Sequence, residues 1–183
     1  MYGIFINSIK DYIIQNFGME VWEKVCEHVG LEEDYFINSE FYTDNLLERI
    51  IAAFIYFQEC ETEDLFYEIG YWWALKFVPK LYPGNISNKG HDHFKKFLID
   101  FPLFINRLSL IYPNINLTEF QSRQLSENEI QFSHAPYKLK KHTFTKGILK
   151  GFGDLFEAKF ELTLLQVESD QSLYNEYKIT FTA

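Results

Sequence analysis

The sequence predicts an α+β fold: an N-terminal helical lobe followed by an antiparallel sheet with one inserted helix. Three observations carry this. Apolar residues recur at helical spacing through the first two-thirds of the chain, period-two alternation takes over after Pro113, and one further helical run, from about Thr143 to Phe156, interrupts the alternating segments. The 183 residues suit a single domain spanning 1–183, with the helical part at about 1–113 and the mixed part at about 114–183.

Phe5, Ile9, Tyr12 and Ile13 share one helical face, and Gly18 follows as a stop signal. A second helix is expected from about Met19 to Val29, ending at Gly30. Asp44 suits the N-cap of a third, whose stripe is Leu46, Leu47, Ile50, Ile51, Phe54 and Phe57. Thr62 opens a fourth, with Leu65, Phe66, Ile69, Trp73 and Phe77, expected to end before Pro79; Pro83-Gly84-Asn85 is a turn signal. The most informative helix runs from about His91 to Ile111. Its Phe94, Phe97, Leu98, Phe101, Ile105, Leu108 and Ile111 are spaced mostly by three and four and predict one buried face. Pro102 lies inside it, so a bend or break is expected there, and Pro113 stops it. Strands are expected at Glu119–Leu125, Glu129–Ser133, Lys159–Val167 and Glu176–Thr182, with Phe160, Leu162 and Leu164, and then Tyr177, Ile179 and Phe181, at alternating positions.

Composition narrows the function classes. A formal net charge of -9 argues against non-specific nucleic-acid binding, which needs Lys and Arg to neutralise phosphates. No stretch approaches the roughly 20 apolar residues of a membrane helix, and the start Met1-Tyr2-Gly3 lacks a signal peptide's basic region, so a cytoplasmic location is expected. Cys26 and Cys60 form no CxxC pair and read as free thiols. No Ser-His-Asp order, phosphate-cradling glycine loop or zinc spacing is present, so no enzymatic activity is expected. His91-Asp92-His93 places its histidines two apart, on different sides of a helix, which suits a solvated helix start better than a metal site. Lys138, Lys140, Lys141, Lys146 and Lys150 read as a solvated basic face or an anion site. Aromatic residues make up 19% of the chain, 19 of them Phe, so the core is bulky or lines a pocket.

Several motifs then fall in order along nearly the whole chain. Met1-Tyr2-Gly3, Phe17-Gly18-x-x-Val21-Trp22-Glu23 and Tyr42-x-Asp44 open it, Ile69-Gly70-x-Trp72-Trp73 lies in the middle, and Gly90-His91 through Phe97-Leu98 and Arg107 through Tyr112-Pro113 frame the long helix. Gly147-Ile148-Leu149-x-Gly151 lies on the helix between the later strands. This pattern resembles the H-NOX (haem nitric oxide/oxygen-binding) domain family. The resemblance implies haem held by a proximal histidine on the long helix, and a signal passed to a partner such as a histidine kinase or a cyclic-nucleotide enzyme.

In the register set by Arg107 and Tyr112-Pro113, the proximal-histidine position is Ile105, which has no lone pair for iron. Helical phase puts position 105 in the middle of the apolar stripe, where an Ile needs no partner and a His would need one. The family's Tyr-x-Ser-x-Arg propionate clamp falls on His134-x-Pro136-x-Lys138, or in a shifted register on Tyr137-x-Leu139-x-Lys141. Lys does not replace the bidentate fork of Arg. His91 and His93 stand 12 or more residues from Ile105, roughly 18 Å along a helix axis. His28 and His142 read as surface residues. The expectation is a haem-free H-NOX-like regulatory domain that signals through a protein partner. Two alternatives stay open: a binding module for a lipid, another tetrapyrrole or a similar hydrophobic small molecule in the former haem pocket, and a haem sensor with His134 or an outside group as axial ligand. Phe5, Phe97, Phe101, Phe104, Leu108, Pro113 and Phe144 are the candidates to line or fill that pocket. A haem-sized void, at about 24 cal/mol per Å3, does not persist unfilled.

Overall fold

A computed structural model describes residues 2–32, 35–58, 61–81, 86, 88–112, 119–135, 142–166 and 174–182, with only the backbone of Asp44. The chain divides into two compact units, Met1–Leu65 with Tyr112–Ile115, and Phe66–Ile111 with Asn116–Ala183.

The first unit is built from α1 (Gly3–Phe17), α2 (Met19–Val29) and α3 (Asp44–Gln58). The expected stripe of α1 is buried through Phe5, Ile9, Tyr12 and Ile13, joined by Ile6. Gly18 ends α1 at φ +90°, a backbone conformation that favours glycine, and its N–H bonds the Ile14 carbonyl. α2 ends in the left-handed Gly30, whose N–H reaches the Cys26 and Glu27 carbonyls. The Arg49 guanidinium of α3 donates to the Val29 carbonyl and so also satisfies the end of α2. Trp22 and Val25 of α2 and Ile50 and Phe54 of α3 are fully enclosed.

The second unit begins within α4 (Thr62–Trp72). A π-helical turn, Trp73–Phe77, and the short α5 (Val78–Leu81) continue it. The long α6 (His91–Ile111) follows, then β1 (Phe120–Ser126), β2 (Glu129–His134), α7 (His142–Leu155), β3 (Phe160–Gln166) and β4 (Asn175–Phe181). The strands form one antiparallel sheet in the order β1-β2-β4-β3. Their ends lie within one residue of those the alternation predicts. Register sets Ile130 opposite Ile179 and Phe132 opposite Tyr177, so one face of the sheet is apolar and enclosed, while Glu129, Gln131, Glu176 and Lys178 take the other face.

Three expectations are corrected. The fourth helical run does not end before Pro79; it continues to Leu81 through the π-helical turn. In that turn the Val78 N–H bonds Trp73, five residues back, so the ladder changes register where Pro79 has no N–H to offer. Second, of the bend or break expected at Pro102, the break does not occur: α6 is helical from His91 to Ile111. An interior Pro costs about 3 kcal/mol in a helix, and the aromatic side chains buried on either side of it, at roughly 1.5–3 kcal/mol each, offset that. Third, the buried face of α6 stops at Leu108: Ile111 is exposed, and Phe104 is enclosed instead.

Glycines bring α4 and α7 into backbone contact. A Cβ at Gly70 would collide with the Phe144 carbonyl, and one at Gly147 with the Tyr67 carbonyl. A Cβ at Gly151, one turn on, would lie 2.7 Å from the Tyr71 carbonyl oxygen. The obstacles are backbone atoms, so relief requires the two helices to separate. Gly147→Ala should therefore lower unfolding stability by about 2–3 kcal/mol, read as a lower urea midpoint with an unchanged slope; a parent-like midpoint would mean that the helices cross less closely.

Candidate functional site

The inner face of α6 gathers four of the residues that the sequence marks as pocket candidates. Phe97, Phe101, Phe104 and Leu108 are all buried, and Ile105 among them is 9% exposed. The Phe101 ring meets those of Phe97, Phe104, Phe120, Phe132 and Phe152 at centroid distances of 5.2–5.8 Å. Phe97 also meets Phe152 at 4.7 Å and Phe156 at 5.1 Å. Edge-on and tilted contacts predominate, the arrangement the ring quadrupole favours.

The other candidates are placed elsewhere. Phe144 in the first turn of α7 is half-buried, 5.9 Å from Trp73. Trp73 in turn stacks on Phe77 at 4.8 Å, along the π-helical turn. Phe5 is buried in the first unit, edge-on to Tyr112 at 6.2 Å. Pro113, Pro136, Tyr137, Lys138, Leu139, Lys140 and Lys141 lie outside the described residues.

His134 ends β2 and points inward, its register partners being Phe120 on β1 and Asn175 on β4. It is 0% exposed. Nδ1 lies 2.7 Å from the Ala135 carbonyl oxygen and Nε2 2.9 Å from Oγ1 of Thr145 on α7. A carbonyl only accepts, so we assign the proton to Nδ1, and Nε2 then accepts from the Thr145 hydroxyl. The ring stacks on Tyr177 at 5.9 Å, and the Tyr177 hydroxyl donates to the His142 carbonyl at 2.8 Å. Burial pushes the His134 pKa down to about 4, with nearby His142 adding to the fall and the Ala135 carbonyl opposing it. No sequence signal marks Thr145, Asn175 or Tyr177 as its companions, because they come from a helix and a strand remote in the chain.

Two of the other described histidines are engaged locally. His91 Nε2 accepts the Lys159 N–H at 3.0 Å, and exposed His28 stacks on Tyr56 at 5.5 Å. Among the described residues no group of three His, Cys, Asp or Glu side chains is placed to hold a metal ion. Lys150 pairs with Asp154 at 3.9 Å and lies over the Phe160 ring, as a solvated face would. In the first unit an open groove of about 740 Å3 is lined by Trp22, Glu23, Cys26, Glu27, Leu31, Glu32 and Tyr35; it contains none of the pocket candidates.

A folded-state pKa of about 4 against an ordinary 6.5 means that the unfolded chain takes up the His134 proton first. Stability from this group is therefore intact above about pH 6.5 and falls as pH drops toward 4, by up to about 3 kcal/mol. Urea unfolding at a series of pH values should give His134→Gln a shallower acid slope than the parent; equal slopes would mean that His134 is not buried in its neutral form.

A family model described as Haem-NO-binding matches residues 2–164. Soluble guanylate cyclase 89Da of Drosophila melanogaster is 24% identical over 136 residues, which is 70% of this chain and 19% of that protein. Soluble guanylate cyclase 89Db of the same organism is 40% identical over 53 residues, 29% of this chain and 8% of that protein. The chain thus spans no more than a fifth of these curated relatives. Among solved structures, a Cs H-NOX mutant carrying an unnatural amino acid aligns with a TM-score of 0.87 at 16% identity, over 100% of this chain and 97% of that one. An oxygen-binding H-NOX domain related to soluble guanylate cyclases aligns at 0.85 and 16%, over 100% and 96%. At such identities the likeness is one of fold, and it agrees with the α+β architecture described above. With the family model covering most of its length, the chain belongs to the Haem-NO-binding family.

Proposed function

We propose that this chain is a single H-NOX-like regulatory sensor domain, spanning residues 1–183, that works without haem and reports to a partner protein. The observation that carries this reading is Ile105. In the register set by Arg107 and Tyr112-Pro113 it stands where the family resemblance expects the proximal histidine; it lies on α6, 9% exposed, with the aromatic cluster of Phe97, Phe101 and Phe104 on the same helix face. Its side chain has no lone pair to give to iron.

The donors present do not fit haem. His134, the candidate replacement ligand, has both ring nitrogens in hydrogen bonds, to Ala135 and Thr145. Freeing Nε2 for a metal would break its buried hydrogen bond from the Thr145 hydroxyl, at roughly 1–3 kcal/mol. His91 is engaged by the Lys159 backbone. Of the clamp positions, His134 stands where the family has Tyr, Pro136 where it has Ser, and Lys138 keeps the charge of Arg without its bidentate fork. No step of the function is therefore routed through haem.

By family analogy the partner is a histidine kinase or a cyclic-nucleotide enzyme. The curated relatives are named guanylate cyclases, and this chain matches only a small part of them, so any catalysis is assigned to the partner. A cytoplasmic setting fits this role, and no helix among the described residues is long and apolar enough to cross a membrane.

Added hemin should give only weak, substoichiometric absorbance that nitric oxide leaves unchanged; a sharp, stoichiometric Soret band that shifts with nitric oxide would sink the proposal. The alternative, a hydrophobic small molecule in place of haem, predicts a bound mass in native mass spectrometry of freshly purified protein. The haem-free, filled version predicts the bare chain. It also predicts that Ile105→Ala costs about 2–4 kcal/mol in urea unfolding, as for a packed core position; a loss well under about 1 kcal/mol would place Ile105 beside open space.

A further inference from the structure

α6 carries a second apolar stripe on the side opposite its aromatic face. At 100° per residue, Ile99, Leu103 and Leu110 fall within about 40° of one another, half a turn from Phe101, while Ile111 lies about 100° round from Leu110, beside the end of the row. They are exposed by 37%, 58%, 83% and 66%. Single exposed apolar residues are ordinary, but three in one row, interrupted only by Asn106 and with a fourth beside its end, mark an interaction surface.

The charges beside the row point to what covers it. Lys96 and Asp100 pair at 2.7 Å on one flank. Exposed Arg107 stands two turns beyond Asp100, on the same flank, roughly 10 Å along the axis.

We propose that this face is a homodimer contact, in which two copies of the chain pack α6 against α6, antiparallel, about a two-fold axis passing beside Leu103. With the axis midway between positions 100 and 107, Asp100 of one copy lies beside the partner's Arg107, and symmetry forms the second such pair at once. The same axis brings Leu103 near the partner's Leu103 and Ile99 near the partner's Leu110. In a parallel pair the two-fold would run along the helices and carry this flank to the opposite side of the contact, so Arg107 would meet neither Asp100 nor its own copy; only the antiparallel arrangement sets the flank against itself and pairs its opposite charges. Asn106, within the row, favours one register at some cost in affinity. Such a helix pair with its rim buries on the order of 1,000 Å2, the low end for a specific interface, so association at about 10–100 µM is expected. This inference stands independently of the haem-free reading, since it uses only the outer face of α6.

Sedimentation equilibrium over about two decades of concentration around 50 µM tests it. The parent chain should show a monomer–dimer equilibrium, and Leu103→Glu should be monomeric throughout. Arg107→Asp should weaken the dimer at least about tenfold, and adding Asp100→Arg to it should restore association. All these positions lie on the outer face, so urea midpoints taken at about 1 µM, where the parent is itself monomeric, should match the parent and exclude misfolding. A parent that stays monomeric at every concentration, a dimer indifferent to Leu103→Glu, or a charge-swapped double variant without recovery would each overturn the proposal.

Discussion

The ring of Phe101 is held among five others, drawn from α6 itself, from β1 and β2, and from α7. Each enclosed Phe contributes roughly 1.5–3 kcal/mol by burial, and the edge-on contacts add about 0.5–1.5 kcal/mol per pair. A Phe has only two side-chain torsions, so this cluster fixes the rotational phase of α6 as well as its position. The rest of the helix follows from that phase. Ile105 turns inward, Leu103 and Leu110 turn outward, and the helix continues through Pro102 because the turns on both sides are anchored.

A second constraint acts at the other side of α7. Gly70 and Gly147 admit backbone where a side chain would stand, and this fixes the crossing of α4 and α7. α7 is thus held from one side by backbone contact and from the other by aromatic rings, while the Thr145–His134 and Tyr177–His142 hydrogen bonds tie its first turn to β2 and β4. Polar groups buried this deeply are costly unless paired, so these bonds fix where α7 starts more sharply than apolar packing alone does.

Much of this was legible in the sequence, for identifiable reasons. Alternation in Tyr177, Ile179 and Phe181 located β4, and Gly18 and Gly30 marked the ends of α1 and α2, because period and left-handed backbone are local properties. The π-helical turn at Trp73–Phe77 was not legible, since its apolar spacing differs from an α-helix by one residue. Pro79 misled because the π-helical turn changes the register of the ladder just before it, whereas no break occurs at Pro102 because burial on both sides outweighs the local penalty. The exchange of Ile111 for Phe104 in the buried face of α6 arose because residues three and four apart satisfy one stripe equally well, and only the partner surface decides between them. At the candidate site, helical phase placed Ile105 correctly among core residues, whereas the bridge from His134 to Thr145 left no local trace.

The two opposite apolar rows of α6 bear on how the proposed haem-free domain would signal. In a haem protein the energy of a conformational change comes from making or breaking a bond to the metal. On the proposed haem-free reading, the inner face of α6 responds only through packing, and packed interiors shift between discrete arrangements rather than deforming continuously. A helix transmits such a shift largely as a rigid body, because its backbone hydrogen bonds couple successive turns, and α6 runs unbroken past the one bond that Pro102 cannot make. Any repacking around Phe101 must therefore move Leu103 and Leu110 with it. A contact made by the outer row is coupled to the inner cluster by geometry alone, and the coupling energy is set by how differently that contact fits the two inner arrangements.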